Sequence, residues 1–386
     1  MAVTRWSADN LLDAMIRFPS VSNTSNQAVT QWVTDRLEEL GFQTETIEYR
    51  DAAGVNKCNV LGRRGPAGGP GLAYFSHSDV VPAENWQGPA DAAGRCDPFE
   101  PVRQSGRIYG RGSCDMKGSL ACMLEAASRI DGAQQQSPLT IVCTADEEVG
   151  FEGARQVARR SRLFRQLVAE QPVAVIGEPT SMQVVYAHKG IAGYRITSHG
   201  RAAHSSTREG VNANLAMVPV LVELKRLYEQ SESDPALRHP DFDPPTLTWN
   251  FGVSDHATAV NITPEVSRAW VCFRPMPGVD GQPLVDQLVR CAESNGLSVE
   301  PLHGGPPIWI EPTSDCIVQM CRLARCAQPQ TVCYGTDGGQ FTELKQLLVL
   351  GPGDIAQAHT ADEWISETQL RSGTEIYEAA IAHWCG

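Results

Sequence analysis

Leu72-Ala73-Tyr74-Phe75-Ser76-His77-Ser78-Asp79 is a short apolar run that ends in side chains able to bind or orient a metal. A run of this composition reads as a strand buried on both faces, because half-exposed strands alternate instead. Three further runs repeat the arrangement. Leu139-Thr140-Ile141-Val142-Cys143 leads to Glu147-Glu148, Val173-Ala174-Val175-Ile176 leads to Glu178, and Leu347-Leu348-Val349-Leu350 leads towards His359. Asp115 follows the tight stretch Gly110-Arg111-Gly112-Ser113-Cys114, just before a helical pattern through Leu120, Met123, Leu124 and Ala127. Open α/β sheets bind their ligands beyond the carboxyl ends of the strands. If these runs are neighbours, two histidines and several carboxylates meet in one crevice, the pattern of a metal-dependent site.

Around the runs, strands and helices alternate. Ser7 reads as the cap of a helix with apolar Leu11, Leu12, Met15 and Ile16, closed by Pro19. A second helix carries Val29, Trp32, Val33, Leu37 and Leu40 and stops at Gly41. This is an α/β layout, a mixed sheet flanked by helices. The style changes near Val184. A strand over 194–198, a periodic helix over 214–228, strands over 246–253 and 265–273, a helix over 283–292 and a strand near 298–301 follow. That β-α-β-β-α-β order is a self-sufficient α+β unit of the ferredoxin-like kind. The expected organisation is one metal-binding domain over 1–183 and 304–386, interrupted by an inserted domain over 184–303.

The composition excludes several classes. A chain of 386 residues is long enough for two domains, and 42% hydrophobic with 20% charged residues is ordinary for a well-cored protein. A net charge of -13 argues against nucleic acid or an anionic membrane as partner. The first ten residues show no basic segment followed by an apolar one, and no run approaches bilayer-spanning length, so a cytoplasmic location is expected. Twelve cysteines without a C-x-x-C pair read as reduced core thiols.

Each segment alone has a bland reading. His77 and Asp79, two apart, fall on one side of a strand end, where one imidazole nitrogen can face a metal while Asp79 accepts from the other. Asp115 could cap a helix or, through its two oxygens, bridge two ions. Glu147 and Glu148 could be a solvated acidic turn, or one could ligate while the other faces the open coordination position. Two carboxylates at a buried strand end are costly unless a cation or protons compensate them. Mixed histidine and carboxylate donors fit zinc, with cobalt or manganese as alternatives.

Taken in order, five segments resemble the M20 family of two-zinc amidohydrolases and peptidases over nearly the whole chain. They are Ser76-His77-Ser78-Asp79-Val80-Val81-Pro82, Cys114-Asp115-Met116-Lys117-Gly118, Thr144-Ala145-Asp146-Glu147-Glu148, Gly177-Glu178-Pro179-Thr180 and His359. The resemblance implies a zinc-exopeptidase-like fold with an inserted lid and dimerisation domain, and hydrolysis of an amide bond. It implies that Asp115 bridges two divalent ions, that His77 and Glu178 complete one, and that Glu148 and His359 complete the other. Glu147 would be the general base, Asp79 an orienting carboxylate, and the bond after Asp115 a cis peptide. His204, in Ala203-His204-Ser205-Ser206, would supply an oxyanion donor across a homodimer paired through the inserted domain.

Arg274 matches a family anion-binding position, with Lys189 and Asn261 as companions for a substrate carboxylate. Gly335, Thr336 and Gly353 resemble backbone-donor loops. The implied substrate is a small N-acyl amino acid. The segments 177–190, 204–213 and 351–363 resemble members acting on N-acetylornithine, whereas Thr336-Asp337-Gly338 is more similar to the loop of members that remove succinyl groups. A catalytically silent binding protein on the same fold is the reading from a different class.

Overall fold

The computed structural model describes residues 6–256 and 259–386. It divides into two compact units. One runs to Ala187 and resumes over Trp309–Gln330 and Thr336–Gly386; the other comprises His188–Ile308 and Thr331–Gly335.

In the larger unit the four apolar runs are neighbours. Leu72–His77 pairs in parallel with Leu139–Thr144 on one side and Val173–Ile176 on the other, and Val173–Ile176 pairs in parallel with Leu347–Val349. His77 lies level with Thr144, while Ile176 is level with both Phe75 and Val349, so the four carboxyl ends share one edge. Leu72–His77 and Leu139–Thr144 are buried at every position, as continuous apolar runs require when both faces are covered. Antiparallel strands Asn56–Arg64 and Gln43–Arg50 extend the sheet beyond Leu139–Thr144, making it mixed.

The flanking helices follow their sequence signals. Ala8–Ile16 is capped by Ser7, whose hydroxyl accepts from the Asn10 amide, and buries Leu11, Leu12, Met15 and Ile16. It packs with Gly118–Arg129, which packs in turn on the terminal helix Glu367–Cys385. Gln27–Glu39 buries Val29, Val33 and Leu37 against Asn56–Arg64. A three-stranded sheet of Val102–Gln104, Arg107–Tyr109 and Trp364–Ser366 had no clear sequence pattern, since none of its strands exceeds three residues.

The smaller unit holds one antiparallel sheet in the order Thr248–Ser254, Val266–Arg274, Ile191–His199, Ser298–Gly305. Helices Ala213–Ser233 and Gln282–Ser294 complete the β-α-β-β-α-β order. The boundaries differ from the expected 183/184 and 303/304. Val185 pairs with Val349, which carries the strand Val185–His188 into the larger sheet, and Trp309 and Ile310 also belong to the larger unit, Ile310 donating to the Tyr186 carbonyl.

All twelve cysteines are free thiols, and no helix among the described residues is long and apolar enough to cross a membrane.

Candidate active site

His77 is the last residue of its strand and is 1% exposed. Its Nδ1–H donates to the main-chain carbonyl of Asp79 at 2.9 Å. The orienting partner is therefore the Asp79 backbone; the Asp79 carboxylate, expected in that role, lies at 3.6 Å. That carboxylate instead accepts from the Ser22 hydroxyl at 2.7 Å and from the amides of Glu147 and Glu148 at 3.2 and 3.3 Å. Asp79 thus shapes the turn that carries both glutamates.

With Nδ1–H committed, the Nε2 lone pair of a neutral His77 faces Asp115 Oδ1 at 3.1 Å and Glu178 Oε1 at 3.6 Å. An imidazole lone pair opposite carboxylate oxygens needs a proton or a metal between them. On its other side Asp115 presents Oδ2 to His359 Nε2 at 3.4 Å, and the same nitrogen is 3.0 Å from Glu148 Oε2. Two sets of donors result, His77–Asp115–Glu178 and Asp115–Glu148–His359, each with ligand atoms within 4.8 Å of one another. Asp115 belongs to both. It does not cap the following helix, whose N-cap is Lys117, and the Asp115–Met116 bond is cis.

The electrostatics match a cation site. Burial, then the charge of Glu178, pushes Glu147 well above the usual carboxylate range. Burial, with Asp115 adding to it, raises Glu178 likewise and lifts Glu148 to about 7. For Asp115, burial is outweighed by hydrogen bonds from His359 and His77, leaving its carboxyl below the ordinary value. Burial also pulls His77 down, but the bond to Asp115 and the surrounding carboxylates overcome it and hold the ring well above its ordinary value. Bonds to Asp115 and then Glu148 push His359 up to about 10. Protons and divalent cations would therefore compete for the same oxygens and nitrogens, and the donor set fits zinc-like ions.

Several supporting groups were not legible in advance. Asp337 is buried, accepts from the Thr144 hydroxyl at 2.5 Å and is raised by burial to about 7; its motif was visible but not its destination. Lys57, 1% exposed, pairs with Asp146 at 2.7 Å and donates to the Ser22 and Thr24 carbonyls behind the site. Arg111 and Glu363 form a buried ion pair at 2.8 Å between segments 252 positions apart. No local periodicity announces a contact of that separation.

The remaining expected residues divide between the units. Thr336 is buried and caps its own turn, its hydroxyl accepting from the Gly338 amide at 3.0 Å. The Gly353 amide donates to Gln369, so it is committed internally; at φ 96°, a side chain there would put Cβ 2.6 Å from Cys114 Sγ. Gly353 therefore serves close packing beside Asp115 rather than as a free donor. In the smaller unit Lys189 is fully buried and donates to the carbonyls of Pro244 and Thr246 at 2.9 and 2.7 Å. Its ammonium holds two backbone segments together.

Arg274, at the end of Val266–Arg274, has a guanidinium with no hydrogen bond or ion pair among the described residues; a Cβ on Gly335 would lie 3.6 Å from its Nη1. His204 is exposed, its Nδ1 2.7 Å from the Ser206 hydroxyl, and its segment bridges to Ile262 beside Asn261.

Comparison with known proteins agrees with this geometry. Residues 73–383 match the model of peptidase family M20/M25/M40. The acetylornithine deacetylase of Proteus mirabilis (strain HI4320) is 34% identical over 384 residues, covering 96% of this chain and 95% of that one. The acetylornithine deacetylase of Myxococcus xanthus is 31% identical over 389 residues, 97% of each chain. Among solved structures, an M20 family metallo-carboxypeptidase from Sulfolobus solfataricus superposes with a TM-score of 0.77 at 17% identity, covering 97% of this chain and 98% of that one. The dipeptidase Dug1p of Saccharomyces cerevisiae gives 0.76 at 16% identity, covering 98% and 95%. With its parallel strand ends, its paired donor sets and this extent of similarity, the chain belongs to peptidase family M20/M25/M40 and is a metal-dependent hydrolase.

Proposed function

We propose that the protein hydrolyses the amide bond of an N-acyl amino acid, with N-acetylornithine its preferred substrate. The observation that carries the reaction is the pair of donor sets sharing Asp115, with Glu147 next to Glu148 in the same turn. The substrate choice is supported by relatives of known name over nearly the full chain.

Bound between those donors, two divalent cations, zinc or else cobalt or manganese, would acidify a water and polarise the scissile carbonyl. Glu147 takes the proton of the attacking water and passes it to the leaving nitrogen. Burial raises its carboxyl above the ordinary carboxylate range, which suits a group that first accepts a proton and then gives it up. Asp79 keeps Glu147 in place through its main-chain amide. Arg274, carrying a guanidinium without an internal partner, grips the substrate carboxylate bidentately.

Charge developing on the carbonyl oxygen needs a further donor, and the partner subunit's His204 supplies it. The homodimer this requires is supported by an apolar face on the smaller unit. Leu215, Val218 and Val222 recur at helical spacing and are 72%, 52% and 63% exposed, and the edge strand Thr248–Ser254 adds exposed Phe251 and Val253.

A succinyl preference would rest on Thr336-Asp337-Gly338, but the Thr336 and Asp337 side chains are engaged within the larger unit. The test is an assay of metal-stripped protein reconstituted with zinc, cobalt or manganese, against N-acetylornithine, other N-acetyl amino acids, succinyl-diaminopimelate and short peptides. The expected result is the highest kcat/KM with N-acetylornithine. A preference for the succinyl substrate or a dipeptide overturns the substrate, and absence of any turnover with every metal favours a silent binding protein.

A further inference from the structure

Both donor sets contain Asp115, yet they are held differently. His77 is the last residue of a fully buried strand, and Glu178 lies two residues beyond Val173–Ile176. His359, by contrast, lies outside any strand, is 55% exposed and has a φ of 63°. Something other than the sheet must fix its position and that of the Asp115 loop.

The Glu363 carboxylate is placed to do so. It is 1% exposed and accepts four hydrogen bonds. Oε2 receives Arg111 Nη1 and the Gly112 amide, each at 2.8 Å; Oε1 receives the Cys114 amide at 2.8 Å and the Asp115 amide at 3.0 Å. The Glu363 carbonyl also accepts from the Gly110 amide at 3.1 Å. The loop can lie this close because Gly112 has a φ of 82° and no Cβ, which would sit 2.6 Å from a Val80 methyl. Arg111 neutralises the carboxylate, and its Nη2 donates to the carbonyls of Thr360 at 3.0 Å and Pro82 at 3.3 Å. One buried ion pair thus grips the backbone of Asp115 and of the residue next to His359.

We infer that Arg111 and Glu363 are positioning residues that set the Asp115–Glu148–His359 donor set, while the His77–Asp115–Glu178 set stands mainly on the sheet. This inference rests on the two-metal reading proposed above. A glutamine at 363 keeps the shape but turns an N–H towards donors, either Arg111 and Gly112 or Cys114 and Asp115. Donor facing donor displaces the loop without emptying the site.

The test is titration of the metal-stripped, full-length protein with cobalt(II), followed by calorimetry and by the visible spectrum of the bound ion, with circular dichroism to check the fold. His359→Ala defines the signature of a protein that has lost only the second set. Wild type is expected to bind two equivalents. Glu363→Gln is expected to weaken one equivalent at least about tenfold, with the His359→Ala spectrum, and to leave the other within about threefold. Arg111→Lys, which keeps the charge but loses the fork to Thr360 and Pro82, gives the same direction at smaller size and serves if Glu363→Gln does not fold. Equal weakening of both equivalents, or wild-type affinity at both, overturns the positioning role alone. A single equivalent in the wild-type protein overturns the two-metal reading and the inference with it.

Discussion

The two units differ in where they keep charge and where they leave apolar surface. In the larger one Lys57, Asp79, Arg111, Asp115, Lys117, Asp146, Glu178, Asp337 and Glu363 are all buried, several of them joined into ion pairs or hydrogen-bonded to backbone. In the smaller one Lys189 is the one fully buried Lys, Arg, Asp or Glu among the described residues. Exposed large apolar side chains show the reverse distribution. Leu215, Val218, Val222, Phe251, Val253, Ile262 and Trp270 are in the smaller unit, against Val149 and Ile355 in the larger. Buried charge is expensive and persists where a metal, a partner or chemistry compensates it. Exposed apolar surface persists where another surface covers it. The contrast supports the proposal that the larger unit carries the reaction and the smaller one the association.

The strongest way to break that division is to remove charge from the larger unit's site. Glu147→Gln is expected to lower kcat by about 10²- to 10⁴-fold, the usual contribution of a positioned proton-transfer group. Fold and bound metal should be unchanged, because Glu147 belongs to neither donor set. Turnover at wild-type rate, measured on protein of verified metal content, removes Glu147 from the mechanism.

The smaller unit is probed by adding charge to its apolar face. Leu215→Glu with Val218→Glu should give a monomer by sedimentation or light scattering. If the partner subunit's His204 contributes, the monomer loses activity by about 10²- to 10³-fold, as when one oxyanion donor is removed. His204→Ala in the intact dimer should match it. A monomer of full activity separates association from catalysis and ends the cross-subunit role.

Arg274→Ala sharpens the boundary between the units' tasks. Loss of a charged hydrogen bond to a substrate carboxylate should cost about 1.5–3 kcal/mol, or roughly ten- to a hundredfold in kcat/KM. Arg274→Lys should recover part of it, since a point charge replaces a planar fork. A neutral N-acyl amide lacking the carboxylate should respond to neither change; if it loses as much, Arg274 is not the anchor.

What could be read in advance follows the range of each interaction. The buried strands were legible because each announces itself in consecutive apolar residues, and candidate donors such as His77 and Glu178 stand at or just beyond their ends. Asp115 and His359 lie on loops, where only the resemblance pointed to them. The ferredoxin-like unit was legible from its alternation of strand and helix patterns. Arg111 with Glu363 and Thr144 with Asp337 were not, because they join residues 252 and 193 positions apart through side chains that no local pattern links. The burial of Lys189 was equally hidden, because its ammonium bonds to carbonyls of Pro244 and Thr246, more than fifty positions on.

A pH-dependent effect is expected from His188, which lies beside Lys189 in the smaller unit's interior. His188 is fully buried, and its Nδ1–H donates to the Lys189 carbonyl at 2.8 Å. Burial, with some repulsion from Arg274, lowers its pKa from the ordinary 6.5 to about 4. Above pH 6.5 both folded and unfolded chains hold the ring neutral, and stability does not depend on it. Between 6.5 and 4 the unfolded chain takes up a proton that the folded chain refuses, so stability falls as pH falls, by about 3 kcal/mol in full. Urea unfolding of wild type and His188→Leu at pH 7, 6, 5 and 4 isolates this share, since every other titrating group is common to both. The variant should be less stable at pH 7, through the lost hydrogen bond and ring, but should decline less steeply below 6.5. Arg274→Ala should make the wild-type decline smaller and end it at slightly higher pH, because removing a nearby positive charge raises the folded-state pKa of the ring. Parallel pH curves for wild type and His188→Leu would show that the ring titrates alike in both states, and burial of His188 would then add no pH dependence to stability.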